Sequence, residues 1–185
     1  GFQKDVQTII KSISSQRQSL FFSATMNASV ESLVNSHSRN VVKVSVKTRD
    51  TAASVEQDIV KVMGEKSKIE LLHDILISEE VKKTLIFART KHGVEKLSIQ
   101  LQQRGFKAGS IHGNKTQSQR QQILAKFKQD YINILVATDV AARGLDIPNV
   151  SHVINYEAPE KYDDYIHRIG RTGRGNLTGK ALTFV

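Results

Sequence analysis

From Val55 to Val185, short apolar runs alternate with amphipathic stretches of helical length, and this rhythm restricts the fold more than any single motif. The runs are Val55–Met63 (alternating), Thr84–Ala88, Ala108–Ile111, Ile132–Ala137, His152–Tyr156 and Ala181–Val185. Helices are predicted at Lys66–Ser78, His92–Arg104, Ser118–Gln129 and Glu160–Arg168. A strand buried on both faces reads as a continuous apolar run, and helices must then cover both faces of its sheet. The expectation is an α/β domain, a parallel sheet flanked by helices. Leu71, Leu72, Ile75 and Leu76, then Val94, Leu97 and Leu101, then Ile123, Leu124 and Phe127 supply the inward helix faces.

Residues 1–54 break this rhythm. Val6, Ile9, Ile10 and Ile13 fall at helical spacing, Ser19–Phe22 reads as a buried strand, Asn27–His37 as a helix and Val41–Val46 as an alternating strand. These are too few elements to enclose a core. Residues 1–46 are therefore expected to be the end of a preceding domain, 47–54 a polar linker, and 55–185 a domain of their own. Both ends read as cuts, one inside a helix and one inside a strand.

With a formal net charge of +9, an anionic partner is expected. Seven Lys/Arg stand against three Asp/Glu in residues 1–54, and twenty against fifteen in the rest, so the excess is not a basic tail. The chain has no cysteine, which excludes disulfides and cysteine-ligated metal centres. No apolar run reaches transmembrane length and no signal peptide is recognisable, so a cytoplasmic protein without a membrane partner is expected.

Polar segments follow three of the apolar runs: Arg89-Thr90-Lys91, His112-Gly113-Asn114, and Thr138-Asp139 with Arg143-Gly144-Leu145-Asp146. In open α/β sheets, ligands bind at the carboxyl ends of the strands. Adjacent parallel strands would gather these segments into one composite edge. Thr90 and Thr138 hydroxyls and helix-start N–H groups suit a sugar–phosphate backbone, with charge from Lys91 and Arg120. Helix N-capping is the competing role for both threonines. Gln117 and Arg120 share a helix face that could equally be solvated surface. Asp146 could accept from ribose hydroxyls or close an Asx turn before Pro148, and His112 before Gly113 reads as a turn residue.

The octapeptide His167-Arg168-Ile169-Gly170-Arg171-Thr172-Gly173-Arg174 sets three arginines at a spacing of three, with glycines between them. Guanidinium forks match phosphate geometry, and glycine lets backbone approach a ligand. No GxxxxGK[ST] run and no Asp-Glu pair after an apolar strand occur in these 185 residues. Arg171 and Arg174 thus make half a site, which needs a nucleotide held by another surface. No metal ligand set is expected in the chain itself.

Ser23-Ala24-Thr25, Leu85–Lys91, Gln117 with Arg120, Ala137-Thr138-Asp139 with Arg143–Asp146, and His167–Arg174 occur in that order. The ordered set resembles a DEAD-box ATP-dependent RNA helicase of superfamily two. The likeness runs from just after the DEAD element almost to the end of the second RecA-like domain, and His112-Gly113-Asn114-Lys115 resembles the bacterial RhlE-type subgroup. The resemblance implies a RecA-like sheet preceded by a fragment of a first RecA-like domain. It implies Arg174 as an arginine finger, Arg171 as its γ-phosphate partner, and Gly144 and Asp146 beside the ATP ribose and phosphates. His167 would touch the Ser23-Ala24-Thr25 segment across an interdomain cleft, coupling hydrolysis to closure. Thr90, Lys91, Gln117, Arg120, Thr138 and Asp139 would grip or support RNA, largely independently of sequence. ATP with Mg²⁺ would be held mainly by the missing N-terminal RecA-like domain, so this chain alone is expected to be inactive. The competing readings are a stand-alone basic RNA-binding or annealing module, and a DNA helicase of another branch, against which His167 counts.

Overall fold

The computed structural model describes residues 3–23, 26, 28–45, 54–147, 150–173 and 178–185. The chain divides into two compact units, Gly1–Lys47 and Thr48–Val185. Apart from Ser54, the linker expected at 47–54 lies outside the described residues.

The first unit holds α1 (Gln3–Ser12) and α2 (Ala28–His37). The strands expected at Ser19–Phe22 and Val41–Val46 are not there: 19–22 and 41–45 form no ladder, and residue 46 is outside the described set. Leu20, Phe22, Val42 and Val44 are 71%, 92%, 85% and 82% exposed. A strand pattern becomes a strand only beside a partner that takes its N–H and C=O groups, and this unit offers none among its described residues.

The second unit is a six-stranded parallel sheet. Its strands are β1 (Val55–Val60), β2 (Thr84–Phe87), β3 (Ala108–Ile111), β4 (Ile134–Ala137), β5 (His152–Asn155) and β6 (Gly179–Phe184). The spatial order is β1-β6-β5-β2-β4-β3, with every pairing parallel. The helices between them are α3 (Lys68–Leu76), α4 (Lys91–Gln103), α5 (Gln117–Lys128), α6 (Asp139–Ala142) and α7 (Tyr162–Ile169). Only α6, a single turn, escaped the sequence reading. Four residues are too few for a 3.6-residue period to show.

All residues of β2, β3, β4 and β5 are buried. Successive side chains point to opposite faces. Ile86, Val136 and Ile154 therefore pack with Leu72 and Leu76 of α3 and Val94, Leu97 and Leu101 of α4. Leu85, Phe87, Leu135 and Val153 pack with Phe127 of α5 and Ala141 and Ala142 of α6 on the other face. Val55, Ala181 and Ile169 of α7 form a smaller cluster at the β1 end of the sheet. The order places β3, β4 and β2 side by side, with the chain crossing between β2's two neighbours, β4 and β5, so the loops that follow these strands share one rim.

Candidate functional site

Three loops at the carboxyl ends of β2, β4 and β3 carry the polar residues. After β2, the Thr90 Oγ1 accepts from the Gly93 N–H at 3.0 Å, so it caps α4 as well as facing solvent. Lys91 is exposed, and its Nζ donates to the Asn114 Oδ1 of the neighbouring loop at 3.1 Å. After β3, Thr116 caps α5 through the Gln119 N–H, which leaves Gln117 exposed at the first helical position. One turn on, the Arg120 Nη2 donates to the Ala141 carbonyl at 3.4 Å, while its buried Nε has no hydrogen-bond partner among the described residues. That guanidinium ties α5 to α6 and keeps donor capacity in hand. After β4, Thr138 occupies the cap position of α6 without a side-chain capping bond.

Between the β2 and β3 loops stands a carboxylate that the sequence did not single out. Glu95 of α4 accepts from the Ser110 Oγ at 2.5 Å and the Lys115 Nζ at 3.1 Å, and pairs with the His112 Nε2 at 2.9 Å. The Ser110 hydrogen bond is the largest contribution; burial, which raises the pKa, comes next, and the His112 and Lys115 hydrogen bonds with the Lys115 charge help bring it down from 4.5 to about 2.

The octapeptide divides into residues with different tasks. Arg168 is 3% exposed, and its Nε and Nη2 grip Asp139 Oδ1 and Oδ2 at 2.6 and 2.8 Å. Its Nη1 donates to the Glu157 carbonyl at 2.7 Å and the Asn155 Oδ1 at 3.1 Å, and the guanidinium lies 5.0 Å from the Phe87 ring centre. This bidentate pair fastens α7 to α6 over the end of β2. The Asp139 carboxylate, expected on the RNA-binding edge, is committed to Arg168, so it supports the edge from beneath.

Arg171 is half-buried, and its Nη1 donates to the Leu145 carbonyl at 2.9 Å. With His167, Arg143 and Arg168 it lines a shallow hollow above Phe87. The turn that follows is pinned from two sides. The buried Thr172 hydroxyl donates to the Val150 carbonyl at 2.5 Å, and the Ser54 hydroxyl to the Gly173 carbonyl at 2.8 Å. Gly173 has φ 63°, and a Cβ there would meet Val55 at 2.8 Å and the Ser54 carbonyl at 2.9 Å. Gly144 has φ 73° with open space around it, so its requirement is purely conformational. Asp146 is exposed and pairs with the Lys128 Nζ at 3.3 Å. Ser23 lies on the surface of the first unit. Ala24, Thr25, Pro148 and Arg174 lie outside the described residues.

Arg171, Arg143 and His167 face one hollow, and the acids near it, Asp139 and Asp164, are paired with Arg168 and Arg143.

Residues 67–176 match the model of the helicase conserved C-terminal domain. The ATP-dependent RNA helicase CshA of Listeria monocytogenes is 45% identical over 187 residues, covering all of this chain and 36% of the relative. The DEAD-box ATP-dependent RNA helicase CshA of Bacillus subtilis is 40% identical over 185 residues, covering all of this chain and 37% of the relative. The chain thus spans little more than a third of these relatives' length. Among solved structures, E. coli DEAD-box protein SrmB bound to the regulator of ribonuclease activity A superposes with TM-score 0.68 at 36% identity, over 71% of this chain and 77% of that one. Yeast (S. cerevisiae) Dbp5 bound to RNA and ADP BeF3 gives TM-score 0.86 at 28% identity, over all of this chain and 49% of that one.

Proposed function

The chain belongs to the DEAD-box helicase family through its helicase C-terminal domain, and from that premise we propose that it supplies the RNA-gripping edge and the arginine side of an ATP-dependent RNA helicase. The observation that carries the proposal is that the arginine segment is joined, through Arg168 and Asp139 of α6, to the rim that holds Thr90, Lys91, Gln117, Arg120 and Thr138. One ion pair, the buried Arg168 with the part-exposed Asp139, joins the two halves of the site.

ATP supplies the phosphoryl group whose transfer drives the cycle. In this chain Arg171 and, by the family pattern, Arg174 would balance negative charge on that group. Gly144 and Asp146 would border the ribose side. His167 would report closure to the Ser23-Ala24-Thr25 segment. Thr90, Lys91, Gln117, Arg120 and Thr138 would hold phosphates and 2′-hydroxyls of one strand, a mode that does not read bases. The 185 residues contain neither a P-loop nor an Asp-Glu pair after a strand, so we assign the Mg²⁺ and the attacking water to the N-terminal RecA-like domain of such a helicase.

RNA-stimulated ATPase, measured with the chain alone and with that domain joined to it, tests the proposal. No turnover is expected from the chain alone. In the joined protein, Arg174→Ala should lower turnover by about 10³-fold or more with RNA affinity nearly unchanged at a stated salt concentration. Turnover by the isolated chain, or a loss confined to RNA affinity, would overturn the assignment.

A further inference from the structure

Three side chains of the β3 strand and its loop converge on one carboxylate of α4. Ser110 and His112 both meet Glu95 Oε2, and Lys115 meets Oε1. His112 is 5% exposed, and its Nδ1 accepts from the Asn114 N–H at 3.3 Å. Its Nε2 therefore carries the proton that Glu95 receives. The same loop is reached a second time by Lys91, through Asn114. What the cluster joins is specific. Glu95 lies one turn beyond Thr90 and Lys91 on α4, and Lys115 directly precedes the cap of the helix that presents Gln117 and Arg120.

We infer that Glu95, held by Ser110, His112 and Lys115, is a positioning residue that sets the separation and aim of the two loops expected to grip RNA. The inference rests on the reading of that rim as the RNA edge. A carboxylate on the floor of an anion-binding face works against affinity by charge alone. Its three-point grip on the β3 strand end and loop is the gain that offsets this. Three hydrogen bonds to a charged acceptor restrict Lys115 and His112, so the β3 loop no longer has to be ordered when a strand docks.

Positioning and charge predict opposite signs, which makes the inference testable. The assay is fluorescence anisotropy of a labelled oligouridylate titrated with the full 185-residue chain at fixed low salt, with circular dichroism on each variant. Glu95→Gln removes a negative charge and weakens the hub while keeping its shape. Positioning predicts affinity lowered about fivefold and a salt slope that becomes shallower. Charge alone predicts tighter binding and a steeper slope. His112→Gln changes no carboxylate and should also weaken binding; it serves if Glu95→Gln folds poorly. Unchanged or tighter binding by folded variants at both positions overturns the inference. Lys91→Ala and Arg120→Ala separate the two levels. If they weaken binding while the Glu95 and His112 variants do not, the hub fails and the RNA edge stands. If neither of them matters, the RNA edge itself is wrong and the inference falls with it.

Discussion

At the scale of the residue, the distinction between a charge that binds and a charge that holds is set by burial. Arg168, Arg171 and Arg174 look equivalent in sequence, yet Arg168 is sealed under α7 with every nitrogen engaged. Replacing it by Met would strand the Asp139 carboxylate, 28% exposed, without its partner. Breaking such a pair costs about 3 kcal/mol. We expect a Tm lower by roughly 10 °C for a domain of this size, read by thermal melting, whereas Arg171→Ala should melt nearly as the parent does. Glu95 gives a pH prediction. Its pKa falls from 4.5 to about 2 on folding, so the folded state binds fewer protons in that range. Its stabilisation is complete above pH 4.5 and is lost as the pH drops towards 2. Denaturant midpoints measured across that window should fall more steeply for the parent than for Glu95→Gln, and parallel curves would contradict the hub. Nothing in the sequence marks Glu95, or separates Arg168 from the other two arginines. Glu95 sits on an amphipathic helix where a glutamate reads as solvated surface, and its partners are 15, 17 and 20 residues away.

At the scale of the element, the loops owe their shape to caps and to glycine. Thr90 caps α4, so Thr90→Ala should cost about 1 kcal/mol of stability in addition to any loss of RNA contact. Thr90→Ser should restore the first and most of the second, which thermal melting and RNA titration resolve separately. The arginine turn depends on the start of β6. A Cβ on Gly179 would lie 2.1 Å from the Thr172 Oγ1 and 2.5 Å from the Gly173 nitrogen. Gly179→Ala must therefore push Thr172 off the Val150 carbonyl. We expect destabilisation of about 2 kcal/mol by equilibrium unfolding, and loss of turnover in the two-domain protein. The long helices and buried strands of the second unit were readable because their periods are local. Ser19–Phe22 and Val41–Val46 have strand-like patterns as well, but no described residue of their unit pairs with them. Pattern alone cannot supply a missing ladder partner.

At the scale of the whole molecule, two units of unequal completeness share one chain. The second closes a core on both faces of its sheet, while the first leaves Leu20, Phe22, Val42 and Val44 at the surface. Apolar surface of that kind promotes association. A chain beginning at Ala53 should stay soluble to a higher concentration than residues 1–185. Light scattering across a concentration series checks this, and equal behaviour would count against it. The polar motifs were legible as a set because parallel strands all present their carboxyl ends to one side. By itself the sequence determined the α/β class, the helix faces and the edge that gathers the polar segments, since each follows from repeats of two and 3.6 residues within a short window. The tertiary structure alone decided the strand order that sets β4 between β2 and β3. It also turned Arg168 onto Asp139 and gathered Ser110, His112 and Lys115 around Glu95. Those pairings span up to 29 residues of chain. They exist because neighbouring strands bring their loops together in a medium where an unpaired charge is costly.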